Sequence, residues 1–397
     1  MPLARSIAPA FCTDYALCNA LGTTRTEVLS KLALGQSGLG APTRFALPFE
    51  TRVGELQELL PPLPQGMERW ESRIARLALM LAESIRPGIA RATQRWGADR
   101  VAVVLGTSTG GLLETEQAYR SASAEKPLPR GYSLLNTHSL SATAELLKEA
   151  LGLRGPAWMV STACSSSAKA LASAQRLLHA GVVDAVLTGG VDVLSELTLF
   201  GFHGLGILSE TNCRPFADTR DGTSLGEGGA LLLLERTGDA AVALVGSGET
   251  SDAFHLSAPE PEGRGAEQAM RAALLQAGLT PAAIGYINAH GTGTPLNDAA
   301  EALAIARVFG KEPWVASTKG YTGHLLGAAG ATEAAFCVAA LEQGSTPASL
   351  GSMPGQSELN IRVSHGATPF LSRYALSNSF AFGGSNISLV FERVQNG

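Results

Sequence analysis

Short apolar runs recur along the chain at 101–105, 158–161, 185–188, 230–234, 242–245, 284–288, 314–316 and 387–391, with helical stretches among them at 165–180, 265–277 and 300–309. Runs of this length, without polar alternation, read as strands buried on both faces. Strands that alternate with helices build parallel or mixed sheets covered by helices. The chain is therefore an α/β protein, long enough at 397 residues for two domains or one large unit. Two regions break the pattern. The segment 119–129 is polar and 48–65 is rich in proline and glutamate, so both are expected to be surface insertions. A composition break at 236–240 divides the chain into halves, 1–238 and 239–397. The halves echo each other: MVSTACSSSAKALASA and WVASTKGYTGHLLGAAGATEAA both run strand, Ser-Thr, small-residue helix. Ser and Thr cap helices generally, so this echo alone leaves duplication open.

Composition excludes several classes of function. Thirty basic and 35 acidic residues give a net charge of −5, unlike a general nucleic-acid binder. No apolar run approaches the ~18 residues of a membrane helix, and the first residues do not read as a signal peptide. Five dispersed cysteines without a CxxC pair argue against a disulfide framework or a structural zinc site. A reduced, cytoplasmic setting follows as the expectation.

Cys164 stands in Ser-Thr-Ala-Cys-Ser-Ser-Ser, between an apolar strand and an Ala-rich helix. A thiol at a helix N-terminus feels the positive end of the dipole, which favours the nucleophilic thiolate. An inert buried cysteine is the competing reading. His290 opens the glycine-rich loop of NAHGTGTP, and His324 lies in STKGYTGHLLGAAG. Each follows a strand, at the end where open α/β sheets place their sites. One Cys and two His could also bind zinc or form a hydrolase, although the spacing matches no metal motif. Lys319 precedes His324 by five residues, and a nearby carboxylate would let it stay charged in an apolar site. Near the C-terminus, NSFAFGGSN offers a tight turn, either a simple hairpin or a device that aims an N–H into a cavity.

Taken together, STACSSSAKA, NAHGTGTPLNDAAEA, STKGYTGHLLGAAG and NSFAFGGSN resemble the β-ketoacyl-acyl-carrier-protein synthases, specifically the type I/II synthases with a Cys-His-His site. CRPFADTRDGTSLGEGGALLLLER resembles the family's central segment. The likeness runs from about residue 101 to the end and is weaker before it, where the opening strand reads IAPAFCTDYALCNALG. The resemblance implies a thiolase fold: two pseudo-duplicated halves in a five-layer α/β/α/β/α sandwich. It also implies a homodimer, or a heterodimer with a related chain-length subunit, and an acyl carrier protein whose phosphopantetheine arm brings the substrate. No metal, free cofactor, nucleic acid or membrane is implied.

By the same resemblance, Cys164 takes the acyl group, and the N–H groups of Cys164 and Phe382 form the oxyanion hole. His290 and His324 bind the malonyl thioester as it loses carbon dioxide. Lys319, paired with Glu301, orients the site. Phe382 is also a gate, and Thr109 and Phe202 line the acyl pocket. Arg69, Arg73 and Arg76 recur at helical spacing and are expected to dock the acidic carrier. The chain departs from the family pattern in three places. Ala381 replaces a glycine and is expected to restrict the Phe382 turn. Thr109, in Gly106-Thr-Ser-Thr-Gly-Gly, replaces a bulky apolar residue, and Lys169 stands where the family often has His. These departures resemble synthases of specialised polyenes, such as the aryl polyenes. The rival readings are a partner subunit that sets chain length, a Cys-His thioester hydrolase, and a degradative thiolase, which would need a second cysteine near the end.

Overall fold

The computed structural model describes residues 6–122, 128–129, 131–353 and 359–394. Ten strands build the frame: β1 (Ala10–Cys18), β2 (Val101–Gly106), β3 (Ala157–Val160), β4 (Ala185–Asp192), β5 (Gly228–Glu235), β6 (Val242–Ser251), β7 (Ile284–Asn288), β8 (Trp314–Ala316), β9 (Tyr374–Ala381) and β10 (Ser385–Arg393). Their order answers the question of duplication. The first five run β3-β2-β4-β5-β1 and the second five β8-β7-β9-β10-β6. In each half the first three neighbours are parallel and the last two pairings antiparallel. The halves join where Ala10–Cys12 of β1 pairs antiparallel with Val242–Leu244 of β6. The break expected at 236–240 lies between β5 and β6.

The helices around the sheet include α1 (Arg73–Ser84), α2 (Arg86–Trp96), α3 (Ser166–His179), α4 (Arg264–Ala277), α5 (Pro295–Phe309) and α6 (Ala329–Gln343), and a further helix, Glu196–Gly204, carries Phe202. The alternation of side chains along the strands sorts them into layers. On β2, Ala102 and Val104 join a central cluster with Ala170 and Leu171 of α3 and Phe336 and Leu341 of α6. Val101, Val103 and Leu105 face the other way, onto Leu77 and Leu81 of α1. On β7, Tyr286 joins the central cluster, whereas Ile284 and Ile287 pack with Met270 of α4 and Ile305 of α5. The helix pair α3 and α6 is therefore shared by both halves, with outer helices on either side, which makes the five layers of the expected fold. Within this middle layer α6 has no solvent face, whereas α3 exposes Arg176 near its C-terminal end. Residues 329–341 of α6 are accordingly buried all round and rich in alanine.

Two expectations need correction. The segment 48–65 is not a surface insertion throughout. Thr51, Val53, Glu55, Leu56 and Leu60 are buried, and Val53–Gly54 pairs with Leu225–Gly226. A two-residue strand leaves no periodicity to read. Strands β1 and β9 lay outside the apolar runs because polar residues interrupt them, as in AFCTDYALC and YALSNSFA. Part of 119–129 lies outside the described residues; Tyr119 belongs to the helix Leu112–Arg120. Among the described residues, no helix is long and apolar enough to cross a membrane.

Candidate active site

Cys164 sits between β3 and α3, on a sharp elbow. Ala163 takes a left-handed φ of 52°, which an alanine adopts only when its surroundings impose it. The flanking hydroxyls impose it here. The Ser166 hydroxyl donates to the Ala163 carbonyl and accepts from the Thr162 N–H, and the Ser165 hydroxyl donates to the Thr162 carbonyl. Gly106 at the end of β2 lets the strand touch this elbow, since a Cβ there would lie 2.3 Å from Ser167 N. The run of small residues around Cys164 thus has a packing reason as well as a chemical one.

The two histidines converge on the thiol. His324 Nε2 lies 3.0 Å from Cys164 Sγ. The His290 and His324 rings are 5.4 Å apart and nearly perpendicular. The backbone of His324 is fixed on both sides, its N–H donating to Ser224 O and its carbonyl accepting from Gly226 N. The His290 turn is held by Glu301 of α5, whose carboxylate accepts from His290 N and Gly291 N at 2.8 and 2.7 Å and from Asn378 Nδ2 at 3.1 Å.

Lys319 is buried beside the His290 ring. Its ammonium donates to the Glu333 carboxylate and to the His290 carbonyl, and lies 3.5 Å from His290 Nδ1. The expected pairing of Lys319 with Glu301 is therefore wrong: Glu333 is the partner, and Glu301 serves the backbone of the His290 turn. Sequence reasoning missed Glu333, although a single carboxylate in the apolar stretch 329–341 was a readable signal. The ammonium beside Nδ1 leaves Nε2 as the protonated nitrogen of a neutral His290. Burial, then the Lys319 charge, holds both imidazoles well below the usual histidine range. Burial also pushes Glu301 and Glu333 up to about 7. The thiol differs from expectation as well. Burial pushes Cys164 up to about 11, against the opposing pull of Lys319 and the Phe382 N–H. The resting pair is therefore a neutral thiol beside a neutral imidazole.

The NSFAFGGSN turn carries both features between which the sequence could not decide. It is the hairpin between β9 and β10, and it also directs the Phe382 N–H at Cys164 Sγ. Gly383 and Gly384 take φ of 79° and 74°, the left-handed region that favours glycine. Ala381 has an ordinary φ of −105°, so glycine is not required there. The Phe382 and Phe202 rings stack at 5.5 Å. Phe202, His290, His324 and Phe382 line one cavity of about 340 Å³ with Cys164 at its wall.

Other expected residues are placed differently. Thr109 is not among the lining of that cavity; its hydroxyl donates to Asp192 at 2.5 Å. Lys169 makes an ion pair with Glu249 of the other half at 3.5 Å. Arg69, Arg73 and Arg76 do not form one free basic face. Arg69 belongs to a separate turn and pairs with Glu149, and Arg76 pairs with Glu71 at 2.5 Å. Arg73 turns inward to the buried Glu227 at 2.7 Å, because that carboxylate needs a cation. Ligand atoms of Cys164, His290 and His324 lie within 4.8 Å of one another, close enough for a metal. The Lys319 ammonium at His290 Nδ1 disfavours one, since it adds a positive charge and keeps the proton on Nε2.

A thiol, two neutral imidazoles and an aimed backbone N–H beside one mostly apolar cavity make an arrangement suited to acyl transfer. The Beta-ketoacyl synthase N-terminal domain family matches residues 61–240 and its C-terminal domain family residues 241–352. The chain is 35% identical over 318 residues to 3-oxoacyl-[acyl-carrier-protein] synthase 2 of Staphylococcus aureus, covering 75% of this chain and 76% of that one. It is 32% identical to the synthase of the same name from Synechocystis, over 96% and 97% of the two chains. Among solved structures, a ketosynthase (ApeO) in complex with its chain length factor (ApeC) from Xenorhabdus doucetiae superposes with a TM-score of 0.91, at 38% identity over 98% of each chain. A β-ketoacyl synthase from Burkholderia phymatum superposes at 0.86 with 28% identity, over 98% of this chain and 100% of that one. The chain belongs to the β-ketoacyl synthase family.

Proposed function

We propose that the chain condenses an acyl group held on Cys164 with malonyl-acyl-carrier protein, giving 3-ketoacyl-acyl-carrier protein and carbon dioxide. The observation that carries this reading is the 3.0 Å contact of His324 Nε2 with Cys164 Sγ, with the His290 ring alongside. In the first step Sγ attacks the thioester carbonyl of the acyl carrier. The C–S bond to the phosphopantetheine arm breaks, and the thiol proton goes to the leaving sulfur. The N–H groups of Cys164 and Phe382 take the oxyanion.

In the second step malonyl-carrier enters, and the Phe382 ring, stacked on Phe202, has to move aside to admit it. The carboxylate leaves as carbon dioxide, and its bonding pair becomes an enolate. Neutral His290 and His324 donate Nε2–H to the thioester oxygen on which charge builds. Neutral donors suit this role because an imidazolium would hold the malonyl carboxylate as well as the enolate. The enolate carbon attacks the acyl-Cys164 carbonyl. The Cys164 thiolate leaves and regains a proton, so one proton is consumed and one carbon dioxide released.

Lys319 and Glu333 position the histidines, and the phosphopantetheine arm is the carrier's, so the chain needs no cofactor of its own. Of the three arginines, Arg69 and Arg76 remain candidates for carrier docking. The 38% identity to a ketosynthase solved with its chain length factor supports a heterodimer with a related subunit, and the departures at Thr109 and Ala381 support a specialised polyene pathway. Five free cysteines support a reducing, cytoplasmic setting. The test is product analysis with acyl-carrier in the presence and absence of malonyl-carrier. Condensation gives a 3-ketoacyl product only with malonyl-carrier, whereas free fatty acid released without it would make the chain a hydrolase.

A further inference from the structure

The condensation steps leave one buried carboxylate near Cys164 unused. Asp192 ends β4 and is fully buried. Among the described residues no cation pairs with it. The Thr107, Ser108 and Thr109 hydroxyls converge on it instead, with the N–H groups of Ser108 and Thr109 at 3.0 Å each. The three hydroxyls of the 106–111 loop thus serve a carboxylate. Ser108 has a second task, since its hydroxyl also accepts from the Gly327 N–H at 3.0 Å. Gly327 lies three residues after His324. A Cβ there would lie 2.6 Å from Ser108 N and 2.8 Å from Asp192 Oδ2, so the two loops are in backbone contact.

Between His324 and Gly327, Leu326 takes a left-handed φ of 52°. A leucine persists there only where both sides of the turn are held. Residues 224–226 hold the His324 side through two backbone hydrogen bonds. The Gly327 side is held by Ser108, and Ser108 by Asp192.

We propose that Asp192, acting through Ser108, is a positioning residue that locks the 324–327 turn onto the N-terminal half and so sets the Cys164–His324 contact. Without this link Leu326 relaxes to negative φ and the imidazole swings away from Sγ. The inference rests on the condensing reading for its effect on kcat, but Cys164 alkylation needs no substrate and tests the geometry separately.

The test compares Asp192→Asn, Ser108→Ala and Thr107→Val by iodoacetamide alkylation of Cys164 at neutral pH, condensation kcat and KM, and Tm. The Thr107 hydroxyl donates to Asp192 and makes no hydrogen bond to Gly327, so its variant controls for loop stability. Ser108→Ala is expected to slow alkylation and lower kcat by about tenfold with carrier KM unchanged. Asp192→Asn loses more, because an amide N–H₂ then faces the donors of Ser108, and Ser108→Ala keeps the test alive if that variant does not fold. Thr107→Val is expected to stay near the wild-type rates. Wild-type alkylation and kcat in Ser108→Ala would overturn the proposal, and so would an equal loss in all three variants that follows Tm. Wild-type alkylation without condensation would instead overturn the condensing reading.

Discussion

The third strand of each half leads into a buried helix, and the two connections make opposite use of the same frame. In the N-terminal half, β3 reaches α3 in five residues, through one elbow that presents one group, Cys164. In the C-terminal half, β8 reaches α6 in twelve, through a turn at Lys319–Thr322 and another at Leu326–Ala328. The added length presents two groups, with Lys319 beside the His290 ring and His324 at the thiol. Each connection carries one non-glycine residue at positive φ near its site residue, Ala163 directly before Cys164 and Leu326 two residues after His324. The short elbow is held by its own hydroxyls. The long turn is held by the other half of the molecule. The duplicated frame thus has two equivalent connections, and the difference in their length places Cys164 on one and Lys319 with His324 on the other.

The largest expected effects divide the two connections. His290→Ala and His324→Ala should each lower condensation kcat by roughly 10²–10³, the usual cost of a lost charge-stabilising donor. Only His324→Ala should also change iodoacetamide alkylation of Cys164, because only His324 contacts Sγ. Equal alkylation effects would break the assignment of separate roles.

Lys319→Met should act on both stability and pH. The variant strands Glu333 in the core and should cost about 3 kcal/mol by chemical denaturation. That loss should shrink as pH falls and Glu333 takes up a proton. The Lys319 charge helps keep both histidines neutral, so without it they protonate at higher pH. The acid limb of the condensation profile should therefore move up in pH.

Glu301→Gln loosens the His290 turn and should lower kcat about tenfold while Cys164 alkylation stays unchanged. Its stability profile supplies a second check. Burial raises Glu301 from 4.5 to about 7, so the native state favours the protonated form. Its contribution is full at low pH and is lost as pH rises through that window. The glutamine variant should lack this part of the slope in urea titrations.

The smallest effects concern the arginines. Arg69→Glu and Arg76→Glu should raise carrier KM about threefold each, in line with exposed ion pairs. Arg73→Ala should lower Tm and leave carrier KM unchanged, since its guanidinium serves Glu227.

Much of this site was legible because its chemistry needs unusual neighbours. A cysteine among serines after an apolar strand, and histidines in glycine-rich turns after two others, mark the three side chains that the fold brings together. The paired glycines of NSFAFGGSN marked a left-handed turn. What failed depended on long-range pairing. The resemblance pairs Lys319 with Glu301, and only the packing of α6 brings Glu333 to its ammonium instead. Arg73 looked like a surface cation until the buried Glu227 opposite it came into view. The partner of the Thr109 hydroxyl was hidden in the same way, since Asp192, which accepts it, lies 83 residues away. The sign of the Cys164 shift failed for a related reason. Sequence placed the thiol at a helix N-terminus but could not measure its burial, and burial wins.

The most direct test of the central claim is intact-protein mass spectrometry after mixing the protein with a panel of acyl-carrier thioesters, with its related partner subunit where one is required, followed by malonyl-carrier. The account expects a mass gain of one acyl group, lost in Cys164→Ala, and its discharge as 3-ketoacyl-carrier when malonyl-carrier is added. A wild-type protein that never acylates with any chain length, with the partner present, would contradict it.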